Sequence, residues 1–286
     1  MTWAGVSIAL VGALGYALGA ALQQFEAVRD GATLKLAKSV RWWVGGAIGF
    51  TGACLHAVAL SLAPLVAIQP VSVATLVFAV PLAAMMYGRR PHRAEILGSI
   101  AVAGGLLGLM LLVPHEASRP VLSDRGAFGF LACVGVIVLV CLLAARRAAG
   151  PAKALLHAVG AGAVTASVST FVRVVGGGLE GDLANLLTWY SVAIPVLLCC
   201  AVVLLQKSYA VGYFGVAYAG VQVVDPITSV LAGAVLLGEP LPTEAGTAVP
   251  ALIAAAVLVA GTVTLSRLSP DHHHQVPAAP APAPVG

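Results

Sequence analysis

Long apolar segments, separated by short polar ones, run along almost the whole chain. A helix that crosses a bilayer needs about 20 predominantly apolar residues. Nine segments approach or exceed that length: residues 3–22, 43–60, 65–87, 96–113, 126–145, 153–174, 186–206, 211–237 and 248–266. The pattern predicts an all-α integral membrane protein with nine transmembrane helices. Because no basic leader precedes the first segment, we expect an uncleaved helix rather than a signal peptide.

The composition supports the membrane prediction. Hydrophobic residues make up 60% of the chain and charged residues 9%, whereas soluble domains carry about 25% charged residues. All five cysteines lie in apolar segments, where cysteine behaves as a small hydrophobic residue. The chain has no P-loop, no zinc-ligand spacing and no nucleophile elbow. We therefore expect no enzymatic activity, no cofactor and no nucleic-acid partner, and the lipid bilayer as the main partner.

Lysine and arginine are distributed unequally between the two sides of a nine-helix arrangement. Of the 15 basic residues, 12 fall on one side, and the other three are Arg119, Arg125 and Arg173. Loops rich in Lys and Arg stay in the cytoplasm. The charge distribution predicts a protein of the plasma (inner) membrane, with its N-terminus outside and its C-terminus in the cytoplasm.

The chain also contains a weak internal repeat. Residues 67–89 align with residues 217–239 at an offset of 150, with five identities. The two copies lie five helices apart, so the second is inverted in the membrane. We predict a first repeat over 1–113, a loop and linker helix over 114–150, and a second repeat over 151–268. The Pro/Ala-rich segment 269–286 is predicted to be a disordered cytoplasmic tail, too flexible for His272–His274 to form a preorganised metal site.

Several segments resemble the drug/metabolite transporter superfamily, EamA-like, and most closely its NIPA-like magnesium transporter branch. They are RWWVGGAIGF with HAVALSLAPLVAIQPVSV in 41–73, YGRRPHRAEILGSIAVAGGLLGLMLLVP in 87–114, LTWYSVAIPVLL with QKSYA in 187–210, and DPITSVLAGAVLLGE in 225–239. The resemblance covers nearly the whole chain except 116–142 and the tail. It implies a bundle of four helices, a linker helix and four more, with transport as its activity and magnesium as one substrate. Arg89 departs from the family pattern, which usually has an acidic residue there.

Asp225 is the residue that most needs an explanation. It lies near the middle of an apolar segment, where an aspartate costs roughly 2.5–3.5 kcal/mol on insertion scales. Residues three, four and seven apart share a helix face, so a polar stripe surrounds it, made of Tyr218, Gln222, Asp225, Thr228 and Ser229. Pro226 leaves the carbonyl of residue 222 without its helical donor. The stripe predicts a polar cavity, while a structural role for Asp225 in helix packing is the alternative.

Other segments offer further candidates for the lining of that cavity. Under the repeat, Thr75 corresponds to Asp225 and Ser72 to Gln222. Polar or small residues share a face on the first predicted helix (Gly12, Tyr16, Gly19, Gln23) and on the sixth (Thr165, Ser169, Arg173). Serine and threonine often bond to their own helix, so packing is the competing explanation. We expect His56 to be a packed, hydrogen-bonded residue rather than a ligand.

Three functions are compatible with this pattern. The first is a cation permease in which Asp225 receives Mg²⁺, which often takes only one or two carboxylates. The second is a proton-coupled exporter of a small organic metabolite, in which Asp225 is neutral for part of the cycle because burial disfavours its charged form. The third is a non-transporting scaffold or lipid-assembly partner, which predicts no cavity. The sequence leaves open whether the protein is a monomer or a homodimer.

Overall fold

A computed structural model describes residues 2–62, 65–112, 122–177, 188–237 and 245–267. Within these ranges the chain is helical and contains no strand. The helices are α1 (Thr2–Asp30), α2 (Val40–Leu62), α3 (Leu65–Met86), α4 (Arg93–Leu112), α5 (Asp124–Ala145), α6 (Gly150–Gly177), α7 (Trp189–Ala210), α8 (Phe214–Leu237) and α9 (Ala245–Ser266). The predicted tail over 269–286, including His272–His274, lies outside the described residues.

Seven of these helices are long and apolar enough to cross a membrane, namely α1 and α4 to α9. This confirms that the chain is an all-helical protein of the multi-pass membrane type. Helices α2 and α3 are 23 and 22 residues long, but the side chains of residues 57 and 60–74 lie outside the described part. The count of nine spans and the inverted repeat therefore stay predictions.

The first helix continues past its predicted end. The first apolar segment was predicted to end at residue 22, but α1 runs to Asp30, and a 3₁₀ turn, Leu36–Lys38, follows. The polar residues near its end are buried and paired: Tyr87 Oη donates to Gln24 Oε1 at 3.0 Å, and Ser39 Oγ donates to Glu26 Oε2 at 2.6 Å. Gly31, at φ +70°, ends the helix in the left-handed conformation that favours glycine.

The helices pack as two similar groups. Helix α1 contacts α2 and α3, helix α6 contacts α7 and α8, and α4 packs along α9. Glycines allow the closest approaches: a Cβ atom on Gly52 would lie 2.6 Å from the carbonyl oxygen of Gly12, and one on Gly105 would lie 2.6 Å from that of Ala254. Small residues at interfaces let helix backbones come close inside a membrane, so α1–α2 and α4–α9 are two tight pairs.

Arg89 has an acidic partner on the next helix. Its two terminal nitrogens lie 2.8 and 2.7 Å from the two carboxylate oxygens of Glu95. Glu95 is buried and also accepts a bond from the backbone N–H of His92 at 2.7 Å. A bidentate arginine–carboxylate pair fixes geometry as well as charge. The basic residue at the end of α3 therefore anchors the turn into α4, at a position where the family resemblance implied an acid.

Candidate functional site

A cavity of about 220 Å³ lies between the first three helices and α8. Helix α8 contributes Gln222 and α3 contributes Thr75, while α1 and α2 contribute small residues with one larger polar side chain each. Its lining consists of Gly12, Ala13, Tyr16, Gly52, Ala53, His56, Thr75 and Gln222. The two halves of the chain therefore both supply polar groups to one cavity.

The close packing of α1 on α2 shapes one wall of this cavity. A Cβ atom on Gly52 would come within 2.7 Å of the backbone nitrogen of Tyr16, so the backbones nearly touch there. The Tyr16 side chain is left 44% exposed, whereas Thr75 on the opposite wall is 5% exposed. A bulkier residue at position 52 would separate the helices and change the cavity.

Asp225 lies on α8 one turn after Gln222 and is half-buried. Ser229 Oγ donates to Asp225 Oδ1 at 3.2 Å, and the hydroxyl of Ser169 on α6 interacts with the carboxylate electrostatically. The carboxylate interacts electrostatically with Tyr16, which lines the cavity. Within the described residues, none of the four ion pairs includes Asp225. Its partners are therefore neutral hydroxyl groups.

The packing of α6 on α8 explains why Ser169 reaches Asp225. A Cβ atom on Gly162 would lie 2.8 Å from Val224 Cβ and 3.2 Å from the backbone nitrogen of Asp225. Ser169 lies seven residues after Gly162 and hence on the same face of α6. Helix α8 continues through Pro226, which has no N–H to give to the carbonyl of residue 222. A carbonyl without a helical donor is thus available beside the carboxylate.

Tyr218 and Thr165, two further predicted site residues, have environments that differ from that of Asp225. Tyr218 is 4% exposed, and its Oη has no hydrogen-bond partner in the described part of the chain. It interacts electrostatically with Tyr16 and Tyr209. Thr165 Oγ1 bonds to the carbonyl of Ala161 on its own helix at 2.9 Å.

Two further predicted residues are not linked to the cavity by the described contacts. Thr228 is half-buried and is neither in the cavity lining nor among the described hydrogen-bond partners of Asp225. The side chain of Ser72 lies outside the described residues. Its role at the site stays a prediction.

His56 is a cavity residue that the sequence analysis treated as packing. It lies four residues after Gly52, on the face of α2 that meets α1, and it lines the cavity. The sequence feature that could have indicated this is the spacing of Gly45, Gly49 and Gly52. These glycines share one face of α2, and His56 lies on the same face one turn later. Sequence alone could not indicate that the glycine face opens into a cavity at this level.

The residues around Asp225 restrict what metal chemistry is possible. Among the described residues, no three His, Cys, Asp or Glu side chains form a group that could hold a metal ion. Mg²⁺ keeps several waters and needs only one or two carboxylates, so one aspartate with neutral oxygen donors suits a hydrated ion. The same donor set also suits a carboxyl group that binds and releases a proton.

Comparisons with known proteins show a match along almost the whole chain. The chain is 27% identical over 282 residues to an uncharacterized protein of Corynebacterium glutamicum, covering 92% of this chain and 95% of that protein. No family model matches the chain, and no solved structure matches it. The chain is therefore similar along almost its full length to one bacterial protein.

Proposed function

We propose that this protein is a secondary transporter or permease whose substrate site lies around Asp225. The observation that carries the proposal is the setting of that carboxylate. It accepts a hydrogen bond from the Ser229 hydroxyl and interacts with the Ser169 hydroxyl, and it lies one turn from Gln222, which lines the cavity. An ionisable residue inside a membrane is costly and typically marks a substrate, ion or proton pathway.

Mg²⁺ is the first substrate that we propose. Six waters occupy about 180 Å³ at roughly 30 Å³ each, so an ion that keeps its hydration shell fits a cavity of about 220 Å³. The side chains of Tyr16, Thr75 and Gln222 offer oxygen atoms to those waters. Asp225 supplies the negative charge that would attract the ion.

Proton-coupled export of a small organic metabolite is the second candidate. The neutral polar lining, with Tyr16, His56, Thr75 and Gln222, offers hydrogen bonds that suit an amino acid or a drug-like molecule as well as a hydrated ion. In this mechanism Asp225 exchanges a proton for substrate, because a carboxyl group held by neutral partners can change its charge during the cycle. A non-transporting scaffold is less well supported, since it requires no cavity beside the polar stripe.

The packing of the helices supports an inverted-repeat transporter. The contacts of α1 with α2 and α3 recur in α6 with α7 and α8, and α3 with α4 recurs in α8 with α9. Each pair shifts by five helices, which is the shift expected from the repeat. Secondary transporters of this type bind substrate at the interface between repeats near the bilayer midplane. The excess of basic residues supports an orientation with the N-terminus outside.

Mg²⁺ flux into proteoliposomes with an entrapped magnesium dye tests the proposal. We expect flux in the wild type and a fall to the level of protein-free vesicles in Asp225→Asn, because the amide keeps the size of the side chain but removes its charge. The matched control is Asp30→Asn, which makes the same change at the end of α1. Asp30 lies 25% exposed beside Arg29, about 21 Å along α1 from the cavity residue Tyr16 at about 1.5 Å per residue, so the flux of this variant should equal that of the wild type.

The second candidate has its own readout. Vesicles carrying an internal pH dye are exposed to a panel of amino acids, and a proton flux that requires both the amino acid and Asp225 would support exchange. Magnesium flux that persists in Asp225→Asn would contradict a cation pathway through this carboxylate. Absence of both fluxes in folded wild-type protein would overturn the transport proposal.

A further inference from the structure

A second cavity of about 530 Å³ lies where α5 ends, α6 begins and α7 ends. Three cationic side chains line it, Arg146, Lys153 and Lys207, and no acidic residue does. All three cations are exposed, and none of them takes part in an ion pair within the described residues. The cavity is therefore a concentrated, uncompensated positive site that has no role in the proposed transport.

Tertiary contacts hold these charges together. Ser208 Oγ donates to the carbonyl of Ala154 at 2.7 Å and is fully buried, which fixes Lys207 of α7 beside Lys153 of α6. The ring nitrogen Nδ1 of His157 lies 2.8 Å from the carbonyl of Lys153. Both lysines interact electrostatically with this imidazole. The like charges are thus held close by packing despite their mutual repulsion.

The position of Lys153 also favours a nearby anion. It lies in the first turn of α6, which contains no acidic residue. The N-terminal end of a helix carries a partial positive charge, so a cation there is unfavourable and an anion is favourable. The free N–H groups of the same turn are a typical anion-binding feature. The lysine and arginine side chains therefore favour a negatively charged ligand in this cavity, close to the start of α6.

We propose that this cavity binds the phosphate group of an anionic phospholipid from the surrounding membrane. Its volume falls in the range of about 300–1,000 Å³ that is usual for small-molecule sites. The rest of the lining is largely apolar, including Leu142, Ala145 and Val211. Leu139 lies one turn before Leu142 on the same face of α5 and is 56% exposed, which gives an acyl chain an apolar surface next to the headgroup. A free phosphate ion has no acyl chain and would not contact that apolar surface.

Native mass spectrometry of the full chain in detergent tests this proposal, with dioleoylphosphatidylglycerol and dioleoylphosphatidylcholine as probes. We expect the wild type to retain phosphatidylglycerol in preference to phosphatidylcholine. In Lys153→Gln/Lys207→Gln, affinity for phosphatidylglycerol should fall about thirty-fold, since each basic residue near an anionic headgroup contributes roughly a factor of five. The substituted side chains are exposed, so the variant should fold, and its thermal unfolding checks this.

The control variant is Arg90→Gln/Arg93→Gln, which removes two positive charges. Both arginines are exposed, neither lines the cavity, and affinity should change by less than about threefold because screening limits their reach. Inorganic phosphate in large excess is the second arm: it should leave bound phosphatidylglycerol in place. Equal losses in the two variants would overturn the site, and displacement by phosphate without lipid preference would assign the cavity to a soluble phosphate instead.

Discussion

Glu26 and Asp225 are two carboxylates inside the helix bundle, and their surroundings differ in charge. Glu26 is 1% exposed, and its Oε1 lies 3.8 Å from Arg29 Nη1 and 3.9 Å from Arg41 Nη1. The Ser39 hydroxyl donates to its other oxygen at 2.6 Å. Asp225 is half-buried, accepts a hydrogen bond from the Ser229 hydroxyl and interacts with the Ser169 hydroxyl. The more buried carboxylate is thus the one with compensating positive charge.

This difference separates a structural carboxylate from a candidate functional one. Glu26 lies near the end of α1 in a basic surround that includes Lys35, Lys38 and Arg41, so its charge reduces the repulsion among them. Asp225 lies in the middle of α8, and none of the ion pairs among the described residues includes it. Burial alone would rank Glu26 as the more unusual residue. The charge of the neighbours is the better guide to where a cation or a proton can bind.

Replacing each carboxylate by its amide should have opposite effects on stability. Glu26→Gln should lower the free energy of unfolding by about 1 kcal/mol, because a charge-assisted hydrogen bond becomes a neutral one and the surrounding cations lose their counter-charge. Asp225→Asn should leave it unchanged or raise it, since a neutral amide costs less to bury than a carboxylate. Thermal unfolding in detergent measures both.

Flux provides the complementary readout for the same two variants. Glu26→Gln should retain Mg²⁺ flux, whereas Asp225→Asn should not. If both variants lost stability to the same extent and both kept flux, the distinction between the two carboxylates would be wrong.

The serine partners of Asp225 should have a smaller effect than the carboxylate itself. Ser169→Ala and Ser229→Ala should each raise the Mg²⁺ concentration for half-maximal flux about two- to tenfold, because hydrogen bonds worth about 0.5–1.5 kcal/mol favour the charged form. Ser167→Ala is the matched control. Ser167 Oγ bonds to the carbonyl of Ala163 on its own helix at 3.2 Å, so its removal should leave flux unchanged. An equal effect of Ser167 and Ser169 would indicate a general change in α6.

Apolar segment length predicted much of the fold but not the ends of the helices. The period and length of apolar segments fix where a helix can cross a membrane, and seven long apolar helices confirm that prediction. The predicted end of α1, at residue 22, came too early because Gln24 and Glu26 look like loop residues in sequence. They are buried through bonds to Tyr87 and Ser39, which lie 63 and 13 residues away. Hydropathy cannot show such distant pairings.

Helical spacing placed Ser229 on the same face as Asp225, and the structure shows the bond between them. It could not choose among the polar residues of other helices, because that choice depends on which helices pack closely. Ser169 reaches Asp225 because Gly162 lets α6 approach α8, while Thr165, one turn away, bonds to its own helix. His56 enters the cavity for the same kind of reason, through the glycine face between α1 and α2.

The smallest expected effect concerns the charge that compensates Glu26. Arg41→Gln should change the free energy of unfolding by less than about 0.5 kcal/mol, because exposed ion pairs are screened by water and the Arg41 side chain is 69% exposed. Ser39→Ala should cost more, about 1–3 kcal/mol, since it leaves a buried carboxylate oxygen without its donor and removes the acceptor for the backbone N–H of Trp42. Thermal unfolding of the two variants shows which substitution lowers the free energy of unfolding more. Arg41→Gln could instead lower the free energy of unfolding more than Ser39→Ala does. Charge, rather than the short hydrogen bond, would then hold Glu26 in the bundle. The contrast between Glu26 and Asp225 would in that case rest entirely on paired cations.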